Sequence, residues 1–441
     1  MVDSILADQE KLVAQGRPGT QMSKQTEHNQ LPSFEASVHG GGHTLGQKAS
    51  FWVAAAVVVH TLWTSAAPAM TYPLYASEWH LTPTVTTAIF AVYPLVVVSV
   101  LLTFGGISDY IGRRLTMLLG LGASLVGVLL FATAPNVNWI FVGRAFMGVG
   151  VGLSAAPSAA AMVEYSPAGQ SDRAGSITTA AQALGLALAM LVGGALIAYA
   201  PLPTRLNFWV LSVVLGLLFL ATWFLPRRFS NKASGRWRPK LFKVPSGLYV
   251  IFATSAAAVT TGYAIGALIM SLGAQIAHDL IGSGNAFVNG AAMSVFSVVS
   301  ALIALFAKRL APNSAMILGG VASSAGMGLL VLSSSQHSLA IFLAAIAAAG
   351  TGYSLSFLGG LNLINASAPL QHRGGTLSAV LLVAYLMQGI IALFLGFLAT
   401  AWGLRVAVEL GSAAIAVLSL IAISLAARRN LEPQISQMTQ I

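Results

Sequence analysis

The sequence has no cysteine in 441 residues, which excludes a disulfide framework, a thiolate metal site and a redox-active thiol. Charge is also scarce: charged residues make up 8% of the chain, against 56% hydrophobic. A water-soluble globule of this length needs far more charge to cover its surface. Acidic residues are the scarcer sign, 12 against 22 basic. Walker-type phosphate loops, HExxH, GxSxG and a paired-carboxylate motif are missing too. No enzyme, no cofactor, no metal centre and no ATP-driven pump is expected.

What the chain does have is long apolar runs, each able to cross the hydrocarbon core of a bilayer at about 1.5 Å of rise per residue. Twelve are expected, near 51–75, 84–105, 115–134, 139–163, 174–198 and 207–225, then 248–274, 287–307, 315–334, 339–363, 375–400 and 404–426. The fold class is therefore an all-α membrane protein.

The net charge of +10 would fit a nucleic-acid partner, but its placement excludes one. Basic residues gather at alternate connections: Lys48, Arg113 and Arg114, Arg173, a run from Arg227 to Lys243, Lys308 and Arg309, Arg373, and Arg428 and Arg429. The opposite connections hold only Arg205 and Arg405. This is the positive-inside asymmetry, so both termini and the central connection are expected in the cytoplasm, with anionic lipid headgroups as partners. The expected organisation is a disordered cytoplasmic tail (1–48), a six-helix bundle (49–225), a basic linker (226–247), a second bundle (248–427) and a short tail (428–441). Met22 is an alternative start. The localisation expected is a plasma membrane or bacterial inner membrane.

An internal repeat supports two halves. At an offset of 200, Gly150, Gly152 and Ser154 recur as Gly350, Gly352 and Ser354, and Arg173, Arg205 and Arg228 as Arg373, Arg405 and Arg428. Parallel repeats of six helices place a substrate site near the midplane between the halves.

Three segments carry a family resemblance. Gly105-Gly106-Ile107-Ser108-Asp109-Tyr110-Ile111-Gly112-Arg113-Arg114 resembles the loop between the second and third helices of the major facilitator superfamily, with Tyr110 in place of the usual basic residue. Arg144 with Gly148, Gly150 and Gly152 is similar to that family's fourth-helix motif, and Glu164, Pro167, Arg173 and Gly175 to the pattern that follows. The resemblance implies two pseudo-symmetric six-helix bundles and alternating access. It also implies a gating network of Gly105, Asp109, Gly112, Arg113, Arg114, Glu164, Arg173 and Arg373, with Asp109 engaging the start of the eleventh helix around Gly374 and Gly375. For Arg114, a plain topology marker is an equal reading.

Ionisable residues inside spans are costly and so are functional candidates. His60 sits near mid-span with Trp63 and Thr64 close by; it is a candidate proton or substrate group, or else a neutral ring satisfied within the bundle. Arg144 is a candidate for an anionic substrate group or for proton movement, or it serves a peripheral carboxylate or helix carbonyls. Tyr93, Ser154, Gln182, Thr261, Tyr263, Tyr353, Tyr385 and Gln388 complete the candidate substrate set. Their chemistry suits an uncharged or amphiphilic small molecule, or a monoanion held by Arg144. The leading expectation is a proton-coupled secondary transporter that exports drug-like compounds and works as a monomer. The fifth span has only half of the exporters' glycine motif, with Ala189 and Met190 where Gly-Pro is usual. Proton-coupled uptake of a metabolite or organic acid is the alternative, and a non-transporting receptor or scaffold is the reading from another class.

Overall fold

The computed structural model describes residues 44–167, 171–226, 244, 246–307 and 309–438. Most of the expected amino-terminal tail and most of the basic linker lie outside the described residues. In chain order the helices are α1 (Gln47–Ala66), α2 (Tyr72–Glu78), α3 (Pro83–Phe104), α4 (Ser108–Ile111), α5 (Arg113–Ala132), α6 (Val137–Tyr165) and α7 (Ser171–Tyr199). They continue with α8 (Leu206–Trp223), α9 (Tyr249–Gln275), α10 (Ala286–Ala307), α11 (Pro312–Gln336), α12 (Leu339–Ser367), α13 (Leu370–Trp402) and α14 (Leu404–Met438). Twelve of them are long and apolar enough to span a membrane; α2 and α4 are short connectors. Among the described residues there is no strand. The protein is a multi-pass, all-helical membrane protein.

The first span differs from expectation. A continuous helix over 51–75 was expected, yet α1 stops at Ala66 and the chain turns before restarting as α2. Pro68 is the cause, because it has no N–H to extend the ladder. The exposed carbonyl end of α1 is served by side chains: Asn207 Nδ2 donates to the Ala67 carbonyl at 3.1 Å, and Arg144 reaches Ser65. At the other end of the fold, α14 continues as helix past 427, where the bundle was expected to end.

Inside each half, helices pack backbone against backbone, as apolar helices do where no hydrophobic force drives them together. A methyl on Gly120 would meet Ser154 Oγ and the Gly150 carbonyl across the α5–α6 seam. In the second half, a methyl on Gly319 would meet Ser356 Oγ, and one on Gly352 would meet Ser323, across α11–α12. The structural counterpart of Ser154 is thus Ser356, and that of Gly150 is Gly352. From α6 to α12 the repeat register is therefore 202 residues, not the 200 read from matching glycines. Gly150 and Gly350 share a letter but face different neighbours, α5 in one case and α10 in the other.

Contacts between the halves gather on the face opposite Arg113 and Arg114, here called the far face; theirs is the basic face. On the far face the Thr84 N–H donates to Thr400 Oγ1 at 2.9 Å, and the Thr84 hydroxyl donates to the Gly396 carbonyl at 3.1 Å. The α7–α10 seam closes there too, with the Tyr199 and Phe287 rings 5.8 Å apart. Toward the basic face the same side of α3 carries exposed Ser99 and Leu102, and the space around Gly175 and Gly375 is open. The helix α9 lies at the heart of the assembly: its span is 94% buried, against 56% or less for every other.

Candidate functional site

Arg144 is fully buried on α6. Its guanidinium donates to three carbonyls: Ser65 at 2.9 Å, Ile89 at 3.3 Å and Phe90 at 3.4 Å. Two of these are carbonyls that helix geometry leaves without a ladder partner. Phe90 would be served by an N–H at position 94, but Pro94 has none. Ser65 would be served by Ala69, whose N–H turns to Ala66 instead. The guanidinium also lies over the Tyr93 ring at 4.9 Å and near Phe90 at 5.7 Å, a favourable arrangement for a desolvated cation. Of the roles open to Arg144 from sequence, the one these contacts match is service to helix carbonyls.

Beside it lies a tyrosine cluster built from both halves. Tyr263 on α9 and Tyr385 on α13 meet edge to face with centroids 4.8 Å apart. Tyr353 on α12 stacks on Phe357 at 6.0 Å and meets Phe296 at 5.3 Å. Tyr93, from α3 in the first half, lies within electrostatic reach of Tyr385 and Tyr353. Nearby spans carry buried polar atoms without a partner: Trp63 Nε1 and Thr64 Oγ1 on α1, Thr260 Oγ1 on α9 and Gln388 Oε1 on α13. Buried polar atoms are ordinarily paired, so an unpaired set marks where a ligand can complete the bonding.

The remaining candidates divide. The His60 Nδ1 lies 2.7 Å from the Val57 carbonyl and Nε2 lies 3.2 Å from Ser124 Oγ. A carbonyl only accepts, so Nδ1 holds the proton and, in the neutral ring, Nε2 accepts from the serine. His60 is thereby bonded within the first half, on the α1–α5 side. Ser154 is buried in the α5–α6 seam against Gly120, away from the tyrosines. Thr261 donates to the Ala257 carbonyl of its own helix at 2.9 Å, and Gln182 is half-buried on α7.

The loop on the basic face shows why its glycines are there. Gly106 and Gly112 adopt φ of 76° and 90°, a region open to glycine and strained for other residues. Gly105, by contrast, has an ordinary φ of −53°. Arg113 is the hub. It pairs with Asp109 at 2.6 Å and Glu164 at 3.1 Å and donates to Ser108 Oγ. Arg114 points elsewhere, over the Trp223 ring at 5.6 Å and onto the Leu225 carbonyl at 3.0 Å. The side chains of Arg173 and Arg373 lie outside the described residues, so the expected engagement of Asp109 with the start of α13 stays an expectation.

Phe90, Phe296, Phe357, Ser65 and Ser124 are site partners that sequence reasoning missed. Pro94 inside an apolar run was the one available signal, since it announces a stranded carbonyl.

The family model of the Major Facilitator Superfamily matches residues 52–390. Among curated proteins, the "Sugar transporter ERD6-like 6" of Arabidopsis thaliana is 27% identical over 137 residues, 31% of this chain and 26% of that protein. The "Plastidic glucose transporter 4" of the same plant is 32% identical over 142 residues, 32% of this chain and 25% of that protein. The chain thus matches these relatives over about a quarter of their length. A solved D-xylose-proton symporter shares the fold with a TM-score of 0.68 at 14% identity, covering 86% of this chain and 96% of that one. Two halves that meet at a shared tyrosine cluster, an Asp–Arg loop with two positive-φ glycines and a family match over most of the length converge: the chain belongs to the Major Facilitator Superfamily, a family of transporters rather than enzymes.

Proposed function

We propose that this protein is a secondary transporter that carries a small, uncharged organic solute through alternating access. The observation that carries this reading is the tyrosine cluster, built from both halves, together with unpartnered hydroxyl, indole and amide atoms on α1, α9 and α13. It offers hydrogen bonds and aromatic faces but no free charge. Arg144, the cation beside it among the described residues, is bonded to three carbonyls. Glu78, Asp109, Glu164, Asp279 and Glu409, the acids whose side chains are described, all stand at helix ends. A hydroxylated solute fits this chemistry, and the curated relatives are named for sugars. The conformation, shut on the far face, is one arm of the cycle. By the charge asymmetry the basic face and both termini are cytoplasmic, in a plasma or bacterial inner membrane.

A second reading, export of amphiphilic drug-like compounds, is favoured by the aromatic wall of Phe296, Tyr353 and Phe357. Its route for a coupled proton is His60, which is buried within the first span.

The test is flux in proteoliposomes of the full chain, in both directions, with a panel of neutral sugars and polyols and fluorescent amphiphiles. Flux of a neutral solute that falls in Tyr385→Phe and Gln388→Leu supports the first reading. Flux confined to anions, or unmoved by both variants, overturns it. Amphiphile export that needs a proton gradient and is abolished by His60→Asn selects the second.

A further inference from the structure

A separate cavity of about 390 Å³ lies at the far face and shares no lining residue with the tyrosine cluster. That volume falls in the range of small-molecule sites. Met70 and Leu74, from the α1–α2 turn and α2, and Ile197 on α7 form an apolar wall from the first half. The second half supplies polar groups: His278, Asn285 and Asn289. The floor is the α7–α10 seam, where a methyl on Gly194 would lie 2.6 Å from the Ala286 carbonyl.

The polar groups are fixed in place yet incompletely bonded. Asn289 is 4% exposed. Its Nδ2 donates to the Ser283 carbonyl at 2.9 Å, while its Oδ1 has no partner. The Asn285 Oδ1 accepts from the N–H groups of Phe287 and Val288 at 2.9 and 3.3 Å, which leaves its Nδ2 unused. His278 stands in a π-helical turn, Ile276–Leu280, with Nδ1 on Asp279 Oδ1 at 2.6 Å and Nε2 unused. Such turns are rare and frequently mark functional sites.

We propose that this cavity is a second binding site, for a small uncharged amphiphile. A hydroxylated head donates to Asn289 Oδ1 and bonds Asn285 Nδ2 and His278 Nε2, while an apolar tail lies on Met70, Leu74 and Ile197. Because its walls come from both halves, the site exists only while the far face is shut, and a ligand there opposes reopening. The ligand class rests on the transport reading above; the site itself does not.

The chain has no cysteine, so Ala198→Cys puts a lone thiol on the cavity wall. The full chain in lipid nanodiscs is modified with an impermeant maleimide, with and without butyl β-D-glucoside as the probe. At about twice its apparent Kd, the probe is expected to slow modification about threefold and saturably. The protection should be lost in Asn289→Leu and in His278→Phe, retained in Tyr385→Phe, and absent at a control thiol, Ser77→Cys. No protection, protection that survives both far-face variants, or equal slowing at Ser77→Cys overturns the proposal. Protection lost in Tyr385→Phe but retained in Asn289→Leu also overturns it, and leaves the central-site reading standing.

Discussion

Replacing Arg144 by Met removes three donors and one buried charge at once. Two carbonyls, Phe90 and Ser65, are then stranded, while Ile89 keeps its helical partner. A stranded buried acceptor costs about 1–3 kcal/mol, though hydrogen-bond couplings measured within membranes average only about 0.6 kcal/mol. Against that, relief of a cation inside the span is worth about 2.5–3.5 kcal/mol on insertion scales. The opposing terms are of similar size, so the single variant decides nothing. A double-mutant cycle with Pro94→Ala does decide. An alanine there restores an N–H for the Phe90 carbonyl, so in the Pro94→Ala background Arg144→Met strands one carbonyl instead of two. The lost stacking on Tyr93 and the relieved charge are the same in both arms and cancel. The coupling left is that of one carbonyl, about 0.6–1.7 kcal/mol, which makes Arg144→Met roughly three- to twentyfold less damaging once the proline is gone. Reversible unfolding in mixed micelles reads it, with flux in proteoliposomes as the functional counterpart. If the two effects add to within about 0.3 kcal/mol, Arg144 does not serve the kink at Pro94 and the argument fails.

Two further outcomes follow from contacts already described. A side chain at 396 would collide with Thr87 Oγ1 and lie 2.9 Å from the Pro83 carbonyl, a strain of about 1–3 kcal/mol felt only while the far face is shut. Gly396→Val should therefore speed modification of a lone Ala91→Cys thiol from the far side by roughly five- to a hundredfold; an unchanged rate would show that this seam is not the closing surface. The Asp109–Arg113 pair is partly exposed, 49% and 26%, so Asp109→Asn should alter stability by less than about 1 kcal/mol while flux falls. Full flux with that variant would remove the gating assignment.

Much of this fold is written in composition. Apolar run length sets the twelve spans, and basic residues at alternate connections fix their alternation. Spacing is less informative where two patterns overlap. Glycines recur every second residue along α6 and α12, so matching letters gave a register two residues off; only their neighbours, Ser124 on one side and Ser323 on the other, show the true pairing. Pro68 was visible, but its effect on α1 was masked by apolar residues on both sides. For the site, residue type was legible and partnership was not. Tyr93, Tyr263, Tyr353 and Tyr385 were named, whereas nothing in a single sequence says that Tyr263 meets Tyr385, or that Ser154 is turned into a helix seam. His60 and Arg144 stood out because charge in a span is costly, yet the carbonyls that hold Arg144 and the serine that meets His60 Nε2 come from helices distant in sequence.

The close seams inside each half bear on how such a chain can diversify. At Gly120, Gly127, Gly150, Gly319 and Gly352 even one added methyl meets a neighbouring backbone or side-chain atom, so most substitutions there should be purged before they are ever tested on a solute. The tyrosine wall is under no such restraint: an aromatic ring can lose a hydroxyl, or an amide its oxygen, without moving a helix. On the transport reading proposed above, heritable variation in what is carried should accumulate at Tyr353, Tyr385 and Gln388, one exchange at a time, on two bodies that stay nearly constant.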